Sequence, residues 1–339
     1  MDVLKVGVVG CGAIGREHIK RLNNKLQGCT VTAVADIFEE AAQRGAALVG
    51  NNCTVYTDIK KIVNDANVDA IVVTTPPVVH KDVVLASILA GKPVFCEKPL
   101  ASTSADCKAI VDAEVAAGKH LVQVGFMRRY DNGYRQVKDL LDSGNYGAPL
   151  ILQCTHRNPE VGTDYVTQQA VFDTAIHEID VLHWLIDDEY ESAQVLFGRD
   201  TKYTHSKLRD PQILLLKTKG GVNIIIEVFV NCKFGYDINC EVICEDGTIR
   251  MPAPSFPIIR KDGRLSIAIE QSWINRFIDS YDVQLQDWVD AVKQGIVNGP
   301  NAWDGYIASV TSDALVKAQK TGKVEPITIE TKPEFYIKQ

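Results

Sequence analysis

The first third of the chain repeats one pattern: a short unbroken apolar run, then a stretch with apolar residues at helical spacing. Lys5-Val6-Gly7-Val8-Val9, Val31-Thr32-Ala33-Val34-Ala35, Thr54-Val55-Tyr56, Asp69-Ala70-Ile71-Val72-Val73, Pro93-Val94-Phe95-Cys96 and Leu121-Val122-Gln123-Val124 are runs of strand length. Continuous rather than alternating apolar character predicts strands covered on both faces, as in parallel sheets. Between them, Ile14, His18, Ile19 and Leu22 recur at a spacing of three or four, and helices are predicted near 38–48, 79–89 and 103–117. Asp58 is placed to cap a helix after Tyr56. The alternation predicts an α/β Rossmann domain, a doubly wound parallel sheet of about six strands.

The pattern changes near residue 126. Longer stretches at 147–156, 212–218, 221–231 and 236–244 alternate apolar and polar residues, and Lys219-Gly220-Gly221 and Glu245-Asp246-Gly247 read as hairpin turns. Helical patterns stand near 131–143, 170–186, 281–294 and 303–319. The predicted organisation is therefore a Rossmann domain over 1–125 and an α+β domain over 126–339. The second carries a large, mostly antiparallel open sheet, and its C-terminal helices pack back on the body of the protein. Alternation leaves one sheet face uncovered, so a homo-oligomer is expected, with a homotetramer as its form.

Composition narrows the classes of partner. The 339 residues carry a formal net charge of −7, which disfavours a nucleic-acid surface. No apolar stretch approaches the ~20 residues that span a bilayer, and the first strand begins without a signal-peptide pattern. A cytoplasmic protein is expected. The 9 cysteines stand at 11, 29, 53, 96, 107, 154, 232, 240 and 244, with no C-x-x-C among them. Reduced thiols are expected, and no metal site, because Cys240 and Cys244 belong to an alternating strand.

The chemistry concentrates at strand ends. Gly10-Cys11-Gly12-Ala13-Ile14-Gly15 follows the first strand in the G-x-G-x-x-G pattern. Gly10 permits the tight turn, Gly12 lets a pyrophosphate approach the backbone, and Gly15 lets the next helix pack closely. That helix then turns its first amides toward the phosphates. Asp36 ends the second strand about 20 residues on, where a carboxylate accepts hydrogen bonds from a ribose. Ile37 and Phe38 follow it, so no arginine adjoins it in the sequence to neutralise a 2′-phosphate. Thr74-Thr75-Pro76, with His80, and Glu97-Lys98-Pro99 end later strands, the edge at which such sheets bind ligands. Farther on, Asp173 and His177 are four apart in an amphipathic segment. Read from the residues, the pair suits a carboxylate-oriented base, a structural hydrogen bond in a core helix, a surface ion pair, or, with Asp180 or His183, a metal site.

Together these motifs resemble the glucose–fructose oxidoreductase/inositol dehydrogenase/rhizopine-catabolism (Gfo/Idh/MocA) family, over essentially the whole chain. Gly125-Phe126-Met127-Arg128-Arg129-Tyr130-Asp131, His156-Arg157-Asn158-Pro159 and Phe234-Gly235-Tyr236-Asp237 are similar to segments of members that oxidise inositols. The resemblance implies an NAD-dependent dehydrogenase acting on a CH–OH group, without a metal. It implies cofactor contacts from Gly10, Gly12, Ala13, Ile14, Gly15, Asp36, Ile37, Thr74, Thr75, Pro76, His80, Glu97 and Lys98. Lys98, Asp173 and His177 would form the catalytic set and contact the polyol, with Arg128, His156, Asn158 and Tyr236 lining its pocket. The implied substrate is myo-inositol, oxidised at C2 to the inosose. Scyllo-inositol, a glucose-type pyranose, or a non-catalytic NAD-binding sensor are the alternatives.

Asp36 predicts a strong preference for NAD over NADP. Steady-state kcat/KM with each cofactor measures it, and equal efficiencies would refute the role given to this carboxylate.

Overall fold

The computed structural model describes residues 3–50 and 52–337. They form two compact units. One comprises the described residues of Met1–Phe126, Tyr281–Ser309 and Glu330–Gln339, the other Met127–Ser280 and Val310–Ile329.

The first unit is built on β1 (Leu4–Val9), β2 (Cys29–Ala35), β3 (Thr54–Tyr56), β4 (Ala70–Val73), β5 (Val94–Cys96) and β6 (Val122–Val124). Helices α1 (Ala13–Asn24), α2 (Glu39–Ala47), α3 (Ile59–Val63), α4 (Pro77–Leu89) and α5 (Ser104–Ala117) alternate with them. The strand order is β3-β2-β1-β4-β5-β6, and every pairing is parallel. All four residues of β4 are buried, as a strand covered on both faces requires. The order reverses between β1 and β4, which opens a crevice beyond their C-terminal ends. Asp58 caps α3 as read, accepting from the Lys60 amide at 2.8 Å, and the structure adds Thr103, which caps α5 by accepting from the Asp106 amide at 3.1 Å.

Two C-terminal pieces complete this unit. The sequence reading assigns them to a domain over 126–339 whose C-terminal helices pack back on the first. Leu285, Trp288 and Val289 of α8 (Trp273–Lys293) join Val6, Val34, Val72 and Phe95 in one buried core, with Trp288 fully enclosed. Burial of each such side chain contributes about 1.5–3 kcal/mol, which accounts for the return of the chain to this unit. Near the other end, the buried Glu114 accepts from the amides of Leu121 at 2.6 Å and Val122 at 2.7 Å and from the Tyr336 hydroxyl at 2.5 Å. His120 stacks on Phe335 at 3.8 Å beside it.

The second unit contains α6 (Asn132–Asp142), β7 (Pro149–Arg157), a π-helical turn (Ala170–Ala175), α7 (Ile176–Ile186), β8 (Tyr190–Phe197), β9 (Gln212–Thr218), β10 (Asn223–Phe229), β11 (Asp237–Cys244) and β12 (Thr248–Arg250). A two-stranded ribbon, β13 (Ile258–Lys261) with β14 (Arg264–Ile267), and β15 (Glu325–Pro326) follow; α9 (Ala302–Thr321) precedes β15. The sheet order is β12-β11-β7-β10-β9-β8-β15, with only β7 and β10 parallel among the pairings. The alternation in β11 buries Ile238, Cys240, Val242 and Cys244 on one face. Strand β8 escapes the sequence pattern because its register slips between Tyr190 and Ser192, which breaks the period of two. All 9 cysteines are free thiols.

Asp210 is a buried carboxylate in this unit. It accepts from the Val230 and Asn231 amides at 2.9 and 3.1 Å. Burial pushes its pKa from 3.8 up to about 6, against the pull of those amides. A raised folded-state pKa means that the group binds protons more tightly when folded. Its favourable contribution is therefore full below pH 3.8 and is lost as the pH rises through about 6. Replacing it by Asn removes that slope. The stability difference between the parent and Asp210→Asn, from urea unfolding, should change by on the order of 1–3 kcal/mol between pH 4 and pH 7, in favour of the variant at the higher pH. A pH-independent difference would contradict the shift.

Candidate active site

A cavity of about 440 Å³ lies beyond the C-terminal ends of β1, β2 and β4. Gly10, Gly12, Asp36, Ile37, Thr74, Thr75 and Pro76 line it. Gly10 has φ +100°, and a Cβ there would stand 2.6 Å from the Thr74 carbonyl carbon and the Thr75 nitrogen. Only glycine fits. A Cβ on Gly15 would lie 2.0 Å from the Gly10 oxygen, so α1 is seated hard against the turn. Thr74 Oγ1 donates to that same oxygen at 2.6 Å. Gly12 differs: a Cβ on it would meet nothing within 4 Å. The protein's own packing does not demand this glycine, which leaves the approach of a ligand as its use.

The cavity suits a dinucleotide in its donor set. Helix α1 has Gly12 as its N-cap, no side-chain cap and no acidic residue in its first turn, so its first amides are available to an anion. Thr75 Oγ1 is buried, with no hydrogen-bond partner among the described residues. Asp36 accepts from the Cys11 amide at 2.8 Å and the Phe38 amide at 3.0 Å, which fixes its carboxylate at the rim. Burial, and then Asp36, push the Cys11 thiol up to about 12, so it stays neutral. Ala13 and Ile14 open α1, and neither is among the residues that line the cavity. Two arginines also line it. Arg16 donates to the Cys11 carbonyl at 2.9 Å, and Arg44 of α2 stands 3.8 Å from Glu40. The residues adjoining Asp36 in sequence gave no sign of Arg44. Its place follows from the helix that leads back past the strand end.

At the next strand end, His80 ties two loops together. Its Nε2 lies 2.7 Å from the Thr75 carbonyl oxygen and its Nδ1 2.8 Å from that of Pro99. Burial holds the imidazole below its usual pKa, against those two carbonyls. Lys98 is half-buried, its peptide bond to Pro99 is cis, and its amide donates to Glu97 Oε2 at 3.2 Å. His80, Glu97 and Lys98 are thus gathered at the ends of β4 and β5, as their motifs imply.

In the second unit, Asp173 and His177 fall on either side of a change in helix type. Asp173 lies exposed in the π turn, and His177 is buried in the first turn of α7. The periodicity of the sequence predicts one uninterrupted helix over 170–186. A single π turn inserted in a helix is uncommon and is frequent at functional sites. Glu178, which the sequence reading did not single out, is the centre of a buried cluster. Arg128 Nη1 donates to Glu178 Oε1, and His156 Nδ1 lies 2.8 Å from Glu178 Oε2. Arg128 Nη2 lies 3.2 Å from the same imidazole nitrogen, and Tyr236 packs edge-on to His156 with ring centroids 5.8 Å apart. Burial disfavours both charges of the pair. Glu178 nevertheless raises the Arg128 pKa, and Arg128 with His156 holds Glu178 below the usual carboxylate range. Burial pushes Tyr236 up to about 12.

The structure therefore brings Arg128, His156 and Tyr236 together, around a carboxylate. Asn158 stands just beyond β7, its amide donating to Phe229 at 2.9 Å and its carbonyl accepting from Cys232 at 3.0 Å. Its Oδ1 is buried, with no partner among the described residues, and so has an open acceptor for a hydroxyl. Asp180 is committed to a bidentate pair with Arg129 at 2.6 and 3.0 Å. Among the described residues no cluster of three or more His, Cys, Asp or Glu is placed to hold a metal ion. None of the described helices is long and apolar enough to cross a membrane.

Comparison with known proteins covers nearly the whole chain. Residues 4–126 match the oxidoreductase family with NAD-binding Rossmann fold, and residues 138–329 match the C-terminal alpha/beta domain of the same Gfo/Idh/MocA family. An inositol 2-dehydrogenase of Klebsiella pneumoniae subsp. pneumoniae is 53% identical over 333 residues, 98% of this chain and 99% of that one. One from Azotobacter vinelandii is 54% identical, over 98% of each. Among solved structures, a myo-inositol dehydrogenase from Lactobacillus casei, in complex with NAD(H) and myo-inositol, superposes with a TM-score of 0.97. It is 43% identical, over 98% of this chain and 99% of that one.

Proposed function

The chain belongs to the Gfo/Idh/MocA oxidoreductase family, and from that premise we propose that it is an NAD-dependent dehydrogenase that oxidises myo-inositol at C2 to the keto-inositol. The observation that carries the reading is identity above 50% with inositol 2-dehydrogenases along almost the full length. The motif residues Lys98, Asp173 and His177 are all present in this chain.

Gly10, Gly12, Thr75 and the first amides of α1 hold the pyrophosphate side of NAD, and the fixed Asp36 carboxylate takes its ribose hydroxyls. When bound, NAD supplies the acceptor for the hydride that leaves the alcohol carbon. The protein's own residues manage the proton and the oxygen. His177 takes the hydroxyl proton, and Asp173 supports the imidazolium that results. Lys98 donates a hydrogen bond to the reacting oxygen and stabilises its developing negative charge. Loss of one proton and one hydride leaves a ketone.

An inositol presents a hydroxyl on every ring carbon, each both donor and acceptor. The open Asn158 Oδ1 suits one of them, and His156 and Tyr236 offer further polar edges on the same unit. Arg128 serves this pocket through Glu178 and His156, to which it is bonded. A site of this type rejects a stereoisomer by leaving a buried polar group unpaired. The protein works in the cytoplasm as a homotetramer, and the exposed side of the second sheet, where Leu150, Leu196, Ile213 and Ile225 remain accessible, supports self-association.

The test is NADH formation on mixing protein and NAD with myo-inositol, scyllo-inositol or glucose. Turnover should be highest with myo-inositol, and His177→Ala should lower it by ~10²–10⁴. A folded His177→Ala protein with near-parent turnover would remove His177 from the role of base. Tight NAD binding without turnover of any polyol would favour a sensor instead.

A further inference from the structure

Beneath the Glu97–Lys98 loop lies a chain of side chains that the reaction described above does not use. Glu97 Oε1 is 2.7 Å from His18 Nε2, and His18 Nδ1 is 2.9 Å from Arg21 Nη1. Arg21 Nε donates to Asp282 Oδ1 at 2.5 Å, and Lys25 donates to the other oxygen of Asp282. His18 is fully buried, Arg21 and Glu97 nearly so, while Lys25 reaches solvent. Phe95 closes one side of the His18 ring and Tyr281 another, with centroids 6.1 and 5.8 Å away. All of these residues belong to the first unit.

The chemistry of the partners fixes every proton in the chain. A guanidinium only donates. His18 Nδ1, facing Arg21, must therefore accept, so the single N–H of a neutral imidazole sits on Nε2 and points at Glu97. Glu97 Oε1 accepts that proton's hydrogen bond, and Oε2 accepts the Lys98 amide at 3.2 Å. Both oxygens act as acceptors, as in an ionised carboxylate. Gly125, at the end of β6, leaves room for this carboxylate: a Cβ there would come within 2.9 Å of Oε2. The chain thus anchors the backbone at Lys98 to α1 and α8 through donors and acceptors of fixed direction. It cannot relay a proton, because its Arg21 end accepts none.

We propose that His18 and Arg21 are positioning residues for the dehydrogenase reaction: through Glu97 they hold the Lys98 backbone where its ammonium meets the reacting oxygen. The proposal rests on the catalytic reading of Lys98. His18 and Arg21 touch neither substrate nor cofactor in this role, so their loss should act on turnover rather than on cofactor affinity.

Four variants separate the outcomes: His18→Leu, His18→Gln, Arg21→Met and Lys98→Ala. Gln keeps one donor and one acceptor at position 18, whereas Leu keeps only bulk. His18→Leu and Arg21→Met should each lower kcat for inositol oxidation by about 10–100-fold with KM for NAD within about 3-fold of the parent, and His18→Gln should restore kcat to within about 3-fold. A folded His18→Leu protein with parent-like kcat overturns the proposal. So does a His18→Gln protein as slow as His18→Leu, which would mean that the ring only fills space. A rise in KM for NAD at constant kcat would place the chain in cofactor binding instead, and would also overturn it. If His18→Leu does not fold, Arg21→Met decides by the same kcat and KM readings. Lys98→Ala distinguishes the two levels of the argument. If it keeps full turnover, the catalytic reading of Lys98 fails. If it is inactive while His18→Leu is not, only the positioning role fails.

Discussion

Helix α1 lies so close to the end of β1 that no methyl group fits between them. A Cβ on Gly15 would overlap the Gly10 oxygen at 2.0 Å and crowd Thr74 Oγ1 at 2.7 Å. That contact fixes where the helix starts and how it runs. Its N-cap, Gly12, lines the cavity at the β1/β4 crevice, and farther along the helix His18 reaches the loop after β5. The same seating therefore shapes the cavity proposed for the cofactor and delivers the side chain that meets Glu97, whose other oxygen takes the Lys98 amide. In the function proposed above, cofactor binding and the placement of Lys98 share one packing constraint.

Each unit also carries a buried charge cluster beside residues proposed for the site. In the first it is Glu97 with His18, Arg21 and Asp282. In the second it is Glu178 with Arg128 and His156. Buried ion pairs contribute little net stability, because desolvation offsets most of the Coulomb gain, while loss of one partner costs about 3–5 kcal/mol. Their effect here is on geometry. Glu97 directly precedes Lys98, and Glu178 directly follows His177. Glu97 is held by the His18 imidazole, and Glu178 by the Arg128 guanidinium and the His156 imidazole, so in both places a carboxylate next in sequence to a proposed catalytic residue is fixed by directional bonds.

Much of this was legible along the chain. The continuous apolar runs gave the six parallel strands, since burial on both faces leaves no other pattern, and the glycine spacing located the cavity. The charged clusters were not legible. Arg128 and Glu178 stand far apart in sequence, and only the packing of α7 under β7 unites them with His156. Asp282 likewise meets Arg21 only because α8 returns to the first unit, and nothing in its periodicity says which body it covers. The π turn at Ala170–Ala175 hid behind an amphipathic pattern that an α-helix satisfies equally well, and Arg44 reached the cavity from a helix rather than from the residues beside Asp36.

The seating of α1 can be probed by adding one methyl group. Calorimetric titration of NAD into the Gly15→Ala protein, together with its kcat for inositol oxidation, measures both consequences at once. The account predicts at least about 10-fold weaker NAD binding, since a displaced helix withdraws its amides, and a fall in kcat at saturating NAD. A folded Gly15→Ala protein that binds NAD and turns over as the parent does would contradict it.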